Sequence, residues 1–208
     1  MEILICILIG YGLGCLNPAA LLGKLKHIDL KTVGTRNLGA MNALLVLGKL
    51  SGAIVMVVDI AKSWLACKIA KTLFPLLTAA GLAAGLGAVL GHIFPFYLHF
   101  SGGKGLAPFA GMVLAYDPWM FLLLLIISVT AVLIINYSYA MPMTGGFLFP
   151  VLAWLKSKSI VAFVLSALSG VLVIVKHWSN IGKAKRGEDN KVREYIRDNF
   201  LPKRKQKV

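Results

Sequence analysis

Acidic residues are scarce in this chain: eight Asp and Glu stand among 208 residues, against 22 Lys and Arg. Carboxylates so few and so scattered exclude a dedicated cage for a hard divalent cation. Cysteine is scarce as well. Cys6, Cys15 and Cys67 are odd in number, lie in apolar stretches and lack ligand spacing, so they read as small core residues with no disulfide or metal implied. Two catalytic patterns are missing. None of the four histidines is followed by Asp at the fifth position, which excludes a His-x-x-x-x-Asp acid/base dyad, and no Gly-x-Ser-x-Gly nucleophile elbow occurs. No polar linker divides the chain and no internal repeat is found, so one compact domain is expected.

What remains is apolar. With 58% hydrophobic and 14% charged residues, the composition is that of a polytopic membrane protein. Apolar segments run over about 3–22, 50–74, 76–98, 105–116, 119–136, 141–155 and 159–176. These predict an all-α fold of about seven transmembrane or re-entrant helices. The first segment is led by Glu2 and lacks the basic start of a secretory signal, so it is expected to remain as a span. The fourth, a dozen residues long, is short for a crossing and follows a Gly-rich loop, which suggests a broken element lining a cavity.

Seven crossings put the termini on opposite sides. With the C-terminus in the cytoplasm, that side collects Lys24, Lys26, Lys31, Arg36, Lys49, Lys104 and the run from Lys176 to Lys207, while the other side holds Lys68, Lys71, Lys156 and Lys158. Positive charge selects this orientation. The net charge of +14 is thus a topology signal plus a basic tail, and nucleic acid is not the expected partner. The chain divides into a membrane domain over 1–190 and a basic tail over 191–208. In the tail Val192, Tyr195, Ile196 and Phe200 recur at helical spacing, as in a helix lying on an anionic leaflet.

Three polar islands interrupt the apolar chain, all on the cytoplasmic side in that orientation. The first is Gly34-Thr35-Arg36-Asn37-Leu38-Gly39-Ala40-Met41-Asn42. The second is Gly102-Gly103-Lys104-Gly105, and the third runs from His177 through Asn180 to Gly187-Glu188-Asp189. Amides, glycine N–H groups, a hydroxyl and a lysine with few carboxylates suit anionic oxygens. The Gly-rich loop before a helix is itself fitted to phosphate, because glycine admits close backbone approach and a helix N-terminus is electropositive. Asp59 and Lys62, three residues apart on one face of an apolar segment, read as a buried pair, with helix packing as the first explanation.

In these motifs the chain resembles the bacterial acyl-phosphate-dependent glycerol-3-phosphate acyltransferases, which are integral membrane enzymes. The resemblance runs from Gly14 and Pro18 through Asp59-x-x-Lys62, Gly91-His92-Ile93-Phe94-Pro95 with its Gly-Gly-Lys-Gly, to His177-x-x-Asn180-Ile181. It implies transfer of a fatty acyl group from acyl phosphate to the 1-hydroxyl of glycerol 3-phosphate, giving lysophosphatidic acid, with no cofactor and no metal. Acyl phosphate, glycerol 3-phosphate and membrane lipid are the partners it implies. The catalytic set implied is Lys104, His177, Asn180 and Thr35. Substrate binding falls to Arg36, Asn37, Gly39, Asn42, Gly102, Gly103 and Gly105, with the amides of Gly102, Gly103 and Gly105 joining Lys104 on phosphate.

The chain also departs from that pattern. The first island of the family usually reads Gly-Ser-Gly-Asn-x-Gly-Ala-Thr-Asn with an arginine three residues later; here Thr35, Arg36, Met41 and Leu45 replace Ser, Gly, Thr and that arginine. Leu106-Ala107-Pro108 stands for Val-Ala-Thr, Asn136 for an arginine, and Gly187-Glu188-Asp189 for Gly-Thr-Glu. A lost arginine removes a bidentate phosphate clamp, and Arg36, within the same island, is the expected replacement charge from a different backbone position. Two further readings therefore stand beside the enzyme: a weakened or repurposed paralogue that binds phosphate-bearing lipid, and an organic-phosphate transporter.

Overall fold

Pro18 breaks the first apolar run, and the rest of the site depends on that break. The computed structural model of the chain describes residues 1–189, 191–194 and 197. Helix α1 (Glu2–Cys15) stops where Pro18 cannot donate, and α2 (Pro18–Leu25) restarts with Pro at its first position. Asn17 Oδ1 caps α2 by accepting from Ala20 N–H at 2.8 Å, a contact worth about 1 kcal/mol. The carbonyls freed at the break find distant donors: Tyr97 Oη donates to Cys15 O at 2.8 Å and Lys62 Nζ to Leu16 O at 2.5 Å.

The remaining helices are α3 (Ala40–Leu47), α4 (Lys49–Leu73), α5 (Ala80–Ile93), α6 (Leu106–Tyr116), α7 (Pro118–Ile135), α8 (Ala140–Ser157) and α9 (Ile160–Lys185). A 3-10 turn covers Phe96–Leu98, and no strand occurs among the described residues. The expected all-helical membrane fold is what the chain adopts. Among the described residues, five apolar stretches are long enough to cross a bilayer: Glu2–Leu25, Lys49–Leu73, Ala80–Leu98, Pro118–Ile135 and Ile160–Lys185. The expected seven segments correspond to these five together with α6 and α8. At 11 residues α6 spans about 17 Å, which fits the short element foreseen before it.

Helix α5 is the axis of the bundle. Every one of its residues except Leu90 is buried, and its Ala and Gly content keeps it thin enough to be surrounded. It packs against α1 through two Gly-xxx-Gly pairs. Added Cβ atoms at Gly10 and Gly14 would strike the carbonyls of Ala84 and Ala88, and at Gly87 and Gly91 those of Ile7 and Tyr11. Backbones this close gain dispersion contacts that lipid would not replace. Helix α7 is the opposite case: only Leu124 and Ser128 are buried, so its apolar surface faces lipid.

Side-chain ties identify one end of the bundle. Lys71 Nζ donates to Ala115 O at 2.9 Å, Tyr116 Oη to Ala153 O at 3.2 Å, and Lys156 pairs with Asp117, which also caps α7. All three polar islands lie at the other end. Two expectations change there. The third island begins on a helix, because α9 continues nine residues past the expected limit at 176, there being no glycine until Gly182 and no proline to stop it. The first island also contains an unforeseen helix, α3, an apolar run between Gly39 and Gly48. The tail enters at the same end, where Val192 and Arg193 N–H donate to Asn136 O and Oδ1 at 3.0 and 2.9 Å. Tyr195, Ile196 and Phe200 lie outside the described residues.

Candidate active site

Lys104 joins the second island to the third. Gly105, at φ +85°, turns the chain into α6, leaving Lys104 two residues before that helix begins, where its Nζ donates to Asn180 Oδ1 at 2.6 Å. With Oδ1 engaged, the N–H2 donors of the Asn180 amide are left without a hydrogen-bond partner among the described residues. His177 is one turn earlier on the same face of α9 and 8% exposed. Its Nδ1 lies 2.8 Å from Val173 O. A carbonyl only accepts, so Nδ1 carries the hydrogen and Nε2 keeps a lone pair free for an acceptor role or a proton. Removal from water, and after it the charge of Lys183, hold the Lys104 ammonium below the usual lysine range.

The first island meets the second at Gly103, where an added Cβ would lie 2.9 Å from Leu38 O and overlap His92 Nε2. Asn17 Nδ2 donates to the same Leu38 carbonyl at 3.4 Å, so the helix break positions the loop. Three distant sequence islands thus share one place, as their chemistry suggested.

Individual roles shift. Asn42 is fully buried: its Oδ1 accepts from Thr35 N–H at 2.7 Å, and its Nδ2 donates to Leu30 O at 2.9 Å and Val33 O at 3.2 Å. All of its donors are engaged, so it shapes the loop and does not face a ligand. Gly34, at φ +61°, is demanded by this arrangement because a Cβ there would overlap Asn42 Oδ1. Gly39 precedes α3 and leaves room for the Asn37 amide, 2.8 Å from where a Cβ would stand. The amides of Gly102 and Gly103 donate to Ile93 O and His92 O, each at 3.0 Å. They close the turn, so the backbone N–H groups left here without an acceptor among the described residues are those of Lys104, Gly105, Leu106 and Ala107, since Pro108 has none and Phe109 donates to Gly105 O. Thr35 and Arg36 are exposed and Asn37 half-buried, and their side chains form no hydrogen bond to the other islands.

The glycerol-3-phosphate acyltransferase family model matches residues 4–187. The chain belongs to this family. A glycerol-3-phosphate acyltransferase of Lactiplantibacillus plantarum (strain ATCC BAA-793 / NCIMB 8826 / WCFS1) is 36% identical over 200 residues, covering 92% of this chain and 93% of that protein. The crystal structure of PlsY (YgiH), an integral membrane glycerol 3-phosphate acyltransferase, in its glycerol 3-phosphate form, superposes with a TM-score of 0.83 at 28% identity, covering 92% of this chain and 96% of the other. The lysophosphatidic acid form of PlsY gives a TM-score of 0.81 at 27% identity, covering 92% and 95%.

Against the family pattern, Arg36 stands at φ +57°, a left-handed conformation that explains why glycine is usual there and costs a side-chain-bearing residue about 1–2 kcal/mol. Leu45, in the arginine position, is 46% exposed on α3 and has room for a longer side chain. Sequence reasoning did not assign His92 to the site, although its place in Gly91-His92-Ile93-Phe94-Pro95, ten residues before the Gly-rich turn, was the available signal.

Proposed function

We propose that this chain transfers a fatty acyl group from acyl phosphate to the 1-hydroxyl of glycerol 3-phosphate at the cytoplasmic face of a bacterial inner membrane. The observation that carries this reading is the Lys104–Asn180 contact beside His177, in a fold shared with PlsY. The glycerol 3-phosphate and lysophosphatidic acid forms of PlsY support the acceptor and the product. The basic residues gathered at the site end support a cytoplasmic orientation.

An acyl phosphate is a mixed anhydride and needs no protein nucleophile. The acceptor oxygen bonds to the acyl carbon, the bond from that carbon to the phosphate oxygen breaks, and inorganic phosphate leaves. A substrate phosphate takes the hydroxyl proton. The protein contributes position and charge: Lys104 and the first turn of α6 on phosphate, and His177, Asn180, Thr35 and Asn37 on the acceptor. Purified protein given acyl phosphate and glycerol 3-phosphate is expected to release lysophosphatidic acid and inorganic phosphate in equal amounts. Binding of glycerol 3-phosphate without product would favour the weakened paralogue.

Two predictions follow from the local geometry. Lys104 acts as an ammonium, the form present below its pKa, so kcat/KM should fall as pH rises, beginning below the ordinary lysine range. Lys183→Gln removes a repelling charge and should move that alkaline limb upward; an unmoved limb would separate the limb from Lys104. The second concerns Arg36. Arg36→Gly is expected to raise KM for glycerol 3-phosphate about tenfold, the value of one charge-assisted contact, while Lys158→Gln at the opposite end changes nothing. Leu45→Arg alone should add little, and the combined Arg36→Gly/Leu45→Arg variant should regain binding. Strong activation by Leu45→Arg alone would show that Arg36 is no substitute.

A further inference from the structure

A charged cluster lies inside the apolar band, beneath the Gly-rich turn. Lys62 Nζ is 2.6 Å from Asp59 Oδ1 and 3.0 Å from His92 Nδ1, and His92 Nδ1 is 3.3 Å from Asp59 Oδ1. None of the three side chains is more than 5% exposed. Ionisable groups at such depth are costly to keep, and two helices could be joined far more simply by small residues, as α1 and α5 are. The cluster reaches further than one helix pair. Lys62 also donates to Leu16 O at the break of the first span, next to Asn17, which holds Leu38 of the first island. On its far side the His92 ring abuts Gly103: a Cβ there would overlap Nε2, and Gly103 N–H donates to His92 O at 3.0 Å. His92 therefore meets Gly103 twice, by ring and by backbone, and Lys104 is the next residue.

We propose that Asp59, Lys62 and His92 are positioning residues that mount the Lys104 turn. The ion pair clamps the imidazole at Nδ1, the imidazole fixes Gly103, and Lys104 is thereby set against Asn180. The phosphate-binding turn has its register from within the membrane. This rests on the acyltransferase reading of the same site.

The test is a cycle of His92→Asn, Gly103→Ala and the double variant, with KM measured for both phosphate-bearing substrates. His92→Asn keeps an amide near the place of Nδ1 and removes the Nε2 edge; Gly103→Ala pushes against that edge. Each single change is expected to raise at least one KM about fivefold or more, because misplacing a binding group weakens every later step. In the double variant the vacated ring volume admits the added methyl, so its effect should be smaller than the product of the two. KM does not depend on how much protein is folded, so a merely structural cluster would leave both constants at the parental value. Unchanged constants in both single variants, or effects that multiply, would overturn the proposal. A parent that forms no lysophosphatidic acid would sink the acyltransferase reading by itself. The mount is then judged by the rate at which an amine-reactive reagent labels Lys104, followed by mass spectrometry. A rate altered by His92→Asn supports it and an equal rate overturns it.

Discussion

Replacing Lys104 with alanine is expected to lower kcat/KM by about ten- to a hundredfold at the least, with insertion and thermal stability near those of the parent. A charge-assisted hydrogen bond contributes roughly 1.5–3 kcal/mol, and more where water is excluded. Lys104 is half-buried between α6 and α9, and its contact with Asn180 also sets which way that amide points. The substitution therefore removes the charge and frees the orientation of the acceptor-side donors together. Stability should change little because, among the described residues, Lys104 has this one side-chain hydrogen bond and no ion pair. Acyl transfer measured in membranes at matched expression checks the loss. Parental kinetics in Lys104→Ala would place the phosphate elsewhere.

Breaking the Asp59–Lys62 pair should have the largest effect on stability. Asp59→Leu or Lys62→Met alone leaves an uncompensated charge in the bundle, and the loss of one partner of a buried pair costs about 3–5 kcal/mol. Lys62→Met also leaves Leu16 O without its donor. The Asp59→Leu/Lys62→Met double variant, carrying no unpaired charge, should recover most of the loss. Cys6, Cys15 and Cys67 are all buried and unpaired, so a thiol-reactive fluorophore reports unfolding directly as temperature rises. The exposed Arg186–Glu188 pair supplies the contrast, and its removal should leave the transition where it is. Single variants as stable as the parent would mean that neither group is charged in the folded protein.

The class of this protein was legible from composition and apolar run length, because a bilayer sets the length a helix must have and tolerates few charges within it. The three islands were legible for the same reason: polar residues in so apolar a chain are conspicuous, and their shared chemistry pointed to one anion. Their meeting required the fold, since the contacts are Gly103 against Leu38 and Lys104 against Asn180, pairs 65 and 76 residues apart. Local pattern also misjudged where the third island would be. The apolar signal ends at about Lys176, but backbone hydrogen bonding carries α9 on to Lys185 and puts His177 and Asn180 on one rigid face.

By itself, the sequence determined the membrane class and the Gly-rich turn before a helix. Those properties depend on residue type and on spacing within one segment. Only the tertiary structure decided which polar groups are free for a ligand. Asn42 and the amides of Gly102 and Gly103 carry suitable donors, yet they are engaged by Thr35, Leu30, Val33, Ile93 and His92. It likewise decided that His92, which reads as an ordinary histidine at the end of an apolar helix, stands between a buried ion pair and the turn that carries Lys104. A hydrogen-bonding group acts on a ligand only when nothing in the fold has already satisfied it, and that depends on which distant segments are brought into contact.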